Sequence, residues 1–465
     1  MTIAPFDLLA IALYFIFLLF FAYLTRRNRS FSEFAIAKHS VPATLVFASL
    51  ATTIVGPGFS IGFTSKSWAN GYLYYYMVLP YALQVVLVGT FLAPRLAHYR
   101  DCRSLGEVMR TKYGKLTQIL SGLMSVGLCV GFSAVMGKVG GSTLHDVTGW
   151  SLGVCIATMT AVTVLVTFSG GLRATIATEA LQFSLKAIVV PILVLIAVFL
   201  LPTGMSTVAH EASKLTASAY SQLTLWQILG ICTSFMLGEA LIPPYTNRAL
   251  AAKTSDASRN GFVMAGLFCA VWLGMIAFLG VAAHFYLPLS TAGDNVLLEI
   301  GRKLLPQGLF GLLLATMIAL IMSSQESVLN SAAVSFTSDM LAPVIKLSER
   351  TALVVAKGAT LVLAAIAAYA AQYSPSIIDG LLLLYAIWAP SILVPLVLGL
   401  FLQQTRPLAG TLSIIVGGGS SILWQQLAES PTGPPAILVG LSMALAAYGF
   451  GHVIGAPLQQ SGFKK

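Results

Sequence analysis

Charge is what this 465-residue sequence has least of: Asp, Glu, Lys and Arg make up only 9% of it, against 57% hydrophobic residues. Soluble domains carry roughly 25% charged residues, so too few are present to cover a water-facing surface. Also missing is the polar–apolar alternation over about ten residues that lipid-facing barrel strands need, which excludes a β-barrel. The five cysteines (Cys102, Cys129, Cys155, Cys232 and Cys269) are scattered without paired or metal-ligand spacing. They give neither a disulfide framework nor a metal site. The histidines form no i,i+4 pair, no nucleophile triad emerges, and Gly170-Gly171 lacks the pattern of a nucleotide phosphate loop. Neither enzymatic chemistry nor ATP-driven pumping is expected. The formal charge of +10 raises nucleic acid as a partner, but no Lys/Arg-rich tract or basic stripe supports it.

What is present is a series of apolar runs of about 20 residues, the length that crosses roughly 30 Å of hydrocarbon. The fold class is an all-α membrane protein of about thirteen transmembrane helices. The spans fall at 6–24, 41–65, 71–94, 117–139, 151–169, 175–201, 225–249, 260–287, 306–336, 353–373, 377–402, 408–425 and 435–455. The first lacks a basic n-region and a cleavage site, and Arg26, Arg27 and Arg29 follow it, so it is read as a retained span. With the N-terminus outside, all of the 26 Lys and Arg fall in cytoplasmic loops except Lys66, Lys138, Lys186, Lys214, Arg302 and Lys303. That asymmetry sets the N-terminus outside and the C-terminus in the cytoplasm. No soluble domain, low-complexity tract or C-terminal extension is expected; the partners implied are membrane lipid and a small-molecule solute.

Two spans are internally broken. The second reads Ala48-Ser-Leu-Ala-Thr-Thr-Ile-Val-Gly-Pro-Gly58, and the seventh reads Gly238-Glu-Ala-Leu-Ile-Pro-Pro244. A break at membrane depth frees backbone groups that lipid cannot satisfy, so they must face protein, ligand or ion. Either alone is also explained by a proline kink. Two breaks five spans apart point to an inverted five-plus-five repeat with a midplane binding site, and so to a transporter. The chain then divides into an extra first span (6–24), a first repeat (41–201), a second repeat (225–402) and two extra spans (408–455), all within one transporter domain, 1–465.

The ninth span contains Leu320-Ile-Met-Ser-Ser-Gln-Glu-Ser-Val-Leu-Asn330. Hydroxyls at Ser323 and Ser324, one turn beyond Leu320, suit a hard cation, with carbonyls of the broken second span completing its shell. The competing reading is that both serines bond their own i−4 carbonyls. Glu326 in this span and Glu239 beside the second break are costly in hydrocarbon and should face a cavity or a partner. Glu179 is either an ion or proton site, or a helix end paired with Arg173 or another cytoplasmic base. Lys186, about two turns into the sixth span, either snorkels or pairs with a carboxylate. Gly56, Gly58, Phe59, Glu239, Tyr245 and Trp388 are the candidate solute-binding residues; for the aromatics, ordinary interhelix packing is the alternative.

At these motifs the sequence resembles the sodium/solute symporter family, which has the leucine-transporter-type fold. Gly170-Gly-Leu…Thr178-Glu179…Gln182, Arg248-Ala-Leu-Ala-Ala-Lys253, and Met322-Ser-Ser…Ser327…Leu329-Asn330…Phe336-Thr-Ser-Asp339 carry the likeness. The resemblance implies sodium as the coupled ion. Its ligands would be backbone oxygens of Thr52 and Val55, the Leu320 carbonyl, and the hydroxyls of Ser323 and Ser324. It places Glu179 at the family's cytoplasmic-side aspartate, and Glu326 lies within reach as a second ion or proton site. Positions that hold sugar-binding side chains in galactose-type members fall near Gly58 and Phe59, which disfavours a sugar. The expected function is sodium-coupled symport of an amino acid or carboxylate-like solute in the inner membrane. One rival is proton-coupled symport through Glu326 or Glu239. The other is a transporter-like sensory module, whose signalling partner the sequence does not name.

Overall fold

The computed structural model describes residues 4–25, 30–202, 204–291, 296–374, 376–428, 430 and 432–456. Arg26, Arg27, Arg29, Lys464 and Lys465, used above in reading the orientation, lie outside the described residues. Among the described residues no strand forms, and one isolated bridge pairs Val41 with Ala252.

Ten helices are long and apolar enough to cross a membrane, and the bent pair Ala43–Ile54 and Gly58–Asn70 makes an eleventh span. One of the ten, Leu152–Phe199, has 48 residues, or roughly 70 Å at 1.5 Å per residue, more than twice the hydrocarbon thickness. It is broken at Gly171, whose φ of 52° and ψ of −150° are not helical, so the fifth and sixth runs meet there without a loop. A Cβ at this position would lie 2.6 Å from the Phe34 carbonyl oxygen, so only glycine fits both the angle and the space. The seventh run is likewise split, into Leu225–Leu237 and Pro243–Ala251. Counting the halves on either side of Gly171 and this broken span gives the thirteen runs of the sequence.

Burial sets the layers. In the ninth span, Leu309–Leu341, 89% of the residues of its apolar stretch are buried, and it forms the axis; in Pro5–Thr25 only 22% are, and it lines the outside. In lipid, close packing replaces the hydrophobic effect, so small residues sit where helices cross. Ser255–Phe285 shows this: Gly261 packs on Val46, Gly266 on Ala82 and Gly280 on Thr64. The first span also ties the axis down. Buried Asp7 accepts from the amides of Gly308 (2.7 Å) and Gly311 (2.8 Å), satisfying free N–H groups at the ninth span's N-terminus. Four short helices the apolar runs did not predict, Phe31–Ile36, Leu105–Tyr113, Met205–Ser221 and Val296–Leu304, join the spans.

Candidate functional site

The second span stops being helical at Val55 (φ −81°, ψ 43°) and resumes at Gly58, with a bend of 56°. The seventh stops at Gly238 and resumes at Pro243, with Leu241 at φ 52° between. Proline at the start of each resumed half costs nothing there, because those N–H groups have no helical partner in any case. The two breaks face one another across a small cavity of about 20 Å³, room for about one water molecule.

Gly56, Gly58, Phe59 and Glu239 line the cavity as expected, joined by Thr53 and Ser324. Tyr385, Phe132 and Leu381 also line it and were not expected from sequence, since nothing in a local apolar pattern marks which face of a span looks inward. Tyr245 stands behind Glu239, donating to its Oε1 at 3.1 Å and sharing a 2.9 Å bond with Tyr81. Trp388 does not reach the cavity; its indole N–H donates to the Ala240 carbonyl, one of those freed by the seventh break, at 3.4 Å. Glu239 Oε2 and the Tyr385 hydroxyl are buried and make no hydrogen bond of normal geometry among the described residues. Phe59 packs on Tyr81 (4.5 Å between ring centres) and Phe235 (5.7 Å), and Phe235 in turn on Tyr385 (6.0 Å). Beyond these rings lies an open cleft of about 490 Å³, with Ser234, Asp379 and Ala386 among its lining.

On the other side of the cavity is a layer of buried charge. Arg248 does not lie in a loop, as its place after the seventh span suggested; it is buried and pairs with Glu179 at 2.6 Å. Its remaining donors reach Ser49 (2.6 Å), Ser327 (2.6 Å), Thr53 (3.3 Å) and the Pro244 carbonyl (2.8 Å). Ser49 and Ser327 also donate to the Glu179 carboxylate. Glu179 is therefore neither solvated nor paired with Arg173. Glu326 does not join Ser323; it accepts from Thr178 (2.8 Å) and Gln182 (3.4 Å). The three motifs that carry the resemblance thus meet in this layer, and Asp339 of the third is buried against the Ser104 hydroxyl (2.5 Å) at the end of that span.

Between layer and cavity, four of the five residues expected to hold sodium, Thr52, Leu320, Ser323 and Ser324, come together. Ser323 Oγ lies 3.4 Å from the Thr52 carbonyl and 3.2 Å from that of Leu320, and Ser324 Oγ lies 3.3 Å from both Thr53 O and Leu320 O. The Val55 carbonyl accepts from Ser60 instead (3.1 Å). Into this group comes Lys186, which neither snorkels nor forms an ion pair among the described residues. Its ammonium donates to Thr52 O (2.8 Å), Thr52 Oγ1 (2.6 Å) and Ser323 Oγ (2.7 Å). Two unit charges about 3 Å apart repel by roughly 5–6 kcal/mol even at an effective permittivity of about 20. A protonated Lys186 and a sodium ion would therefore compete for these oxygens.

The model of the sodium:solute symporter family matches residues 34–418. The chain belongs to that family. The sodium/pantothenate symporter of Haemophilus influenzae is 23% identical over 94% of this chain and 93% of its own length. The human sodium/myo-inositol cotransporter is 24% identical over 72% of this chain, which spans about half (54%) of that longer relative. Among solved structures, a sodium-coupled sialic acid symporter in a substrate-bound outward-open state superposes with a TM-score of 0.85. It covers 98% of this chain and 100% of its own at 16% identity. A nucleobase-cation-symport-1 family transporter in a closed conformation superposes at 0.58, covering 92% and 97% at 14% identity. At these identities the structures establish a shared fold. As a symporter of this family the protein is a multi-pass membrane transporter, not an enzyme.

Proposed function

We propose that this symporter carries a small organic solute by alternating access, with the solute held at the cavity between the two helix breaks. The observation that carries this reading is the buried Glu239 Oε2 and Tyr385 hydroxyl, which make no hydrogen bond of normal geometry among the described residues, on the small cavity between the breaks. A buried polar group without a full hydrogen bond costs roughly 1–3 kcal/mol, a cost that a solute donor or acceptor placed here would relieve. Aromatic rings separate the cavity from the open cleft, and the Arg248–Glu179 layer separates it from the opposite face. Opening each in turn is the alternating-access cycle. Family membership supports sodium as the coupled cation.

The cavity has room for about one water molecule as it stands, so a solute enters only as the breaks move apart, and a zwitterion such as an amino acid suits the groups that line it best. Glu239 takes an ammonium or hydroxyl donor, while the resumed half-helix from Gly58 presents its positive dipole end to a carboxylate. Apolar walls at Ile54, Ile242, Val328 and Leu381 leave few groups to read a sugar. We place the N-terminus outside, the C-terminus in the cytoplasm and the protein in the inner membrane, with repeats over 41–201 and 225–402. Uptake of a solute library into proteoliposomes under imposed sodium or proton gradients tests the reading. Accumulation of a small zwitterion or carboxylate supports it; no accumulation of any solute by folded, correctly inserted protein counts against it.

A further inference from the structure

Resting on the transporter reading, a narrower conclusion about the ion follows from Lys186. This side chain is completely buried and arises from the sixth span, 134 residues from Thr52 and 137 from Ser323 in sequence. Its three N–H groups are matched by three oxygens at 2.6–2.8 Å, two of them on the broken second span and one on the ninth. An ammonium has three donors and no acceptor, so its hydrogen-bonding capacity is filled by these groups alone. Two of the three, Thr52 O and Ser323 Oγ, are among the oxygens expected to hold sodium, and here they accept from Lys186.

The charged groups nearby are Arg248, Glu179 and Glu326, with Glu239 across the cavity that Ser324 lines, and Tyr14 lies within reach of Gln182 at 3.3 Å. A sodium ion added among the same oxygens would stand about 3 Å from the Lys186 nitrogen, in a dry interior where like charges repel strongly. The ammonium also does the mechanical work expected of a bound ion, since it ties the carbonyl freed at the second break to the ninth span.

We infer that Lys186 is a tethered cation that fills the seat between the broken second span and the ninth span, so that this symporter does not bind sodium there. Any sodium that drives its transport binds elsewhere.

Sodium itself is the probe. Radioactive-sodium binding is measured at fixed pH and ionic strength on purified wild type, Ser323→Ala, Lys186→Gln, and Lys186→Gln combined with Ser323→Ala. Wild type is expected to show either no saturable binding or binding that Ser323→Ala leaves unchanged. Lys186→Gln removes the competing charge and should gain saturable binding, or bind at least about tenfold more tightly than wild type. Adding Ser323→Ala should then abolish that gain. Saturable wild-type binding that Ser323→Ala weakens would overturn the inference. So would a folded Lys186→Gln protein that binds sodium no better than wild type. If Lys186→Gln does not fold, the comparison of wild type with Ser323→Ala still decides. Because no solute enters these measurements, failed uptake of every solute would count against the transport reading and leave this inference standing.

Discussion

Glu179→Gln isolates what the buried ion pair contributes. The exchange keeps the shape and one carbonyl-type oxygen for Arg248, but removes the charge from a contact 2.6 Å long between fully buried side chains. The Coulomb attraction over that distance is about 6 kcal/mol at an effective permittivity of about 20. Neutral acceptors at Ser49, Thr53, Ser327 and Pro244 remain and hold the guanidinium, which offsets part of the loss. The net cost should fall in the range measured for breaking one side of a buried pair, about 3–5 kcal/mol. Arg248→Met should cost a similar amount, because it strands Glu179. The double change to Glu179→Leu with Arg248→Met should recover most of the loss, since no charge is then left buried alone. Thermal unfolding of the detergent-purified proteins reads all three. Single variants within about 1 kcal/mol of wild type, as for an exposed pair, would refute the reasoning, as would a double variant whose loss equals the sum of the two.

Three further outcomes are expected. Glu239→Gln should weaken solute binding by about ten- to a hundredfold, the worth of a hydrogen bond to a charged group, while leaving the unfolding midpoint close to wild type; unchanged affinity in equilibrium binding would remove Glu239 from the solute site. Gly171→Ala forces a side chain into φ 52° against the Phe34 carbonyl and should cost at least about 1–3 kcal/mol, seen as a lower folded yield in size-exclusion profiles; a wild-type yield would mean that this break relaxes freely. Arg110→Cys, at an exposed position on the short helix Leu105–Tyr113 before the fourth span, should be labelled by an impermeant thiol reagent only from the cytoplasmic face; labelling from outside would invert the topology.

The fold was legible where the chain's own chemistry interrupts a run. Gly56-Pro57-Gly58 and Pro243-Pro244 announce breaks because neither stretch continues a helix, and the helix is interrupted at both. The bend at Gly171 was less visible: a positive φ redirects the chain without a loop, so two spans merge into one helical tract. The amphipathic helices Leu105–Tyr113 and Met205–Ser221 escaped notice because span-length hydropathy does not register short polar helices. Of the site, the oxygens around Ser323 and Ser324 could be read from local spacing. Their partner Lys186 could not, because more than 130 residues separate it from them in sequence. Arg248 was misplaced because counting basic residues beside spans assumes that each one is solvated, and this one follows a break that turns it inward. Glu326 sits three residues from Ser323 on the same helix, yet the sixth span's Thr178 and Gln182 claim it.

The most direct test of the account uses a single cysteine at Leu381, on the wall of the central cavity, in a protein with its five native cysteines replaced. An impermeant maleimide is applied to right-side-out and inside-out vesicles. Alternating access predicts that the cysteine is modified from either face, and that a bound solute slows both reactions. Modification from one face only, under every ion and solute condition, would contradict it.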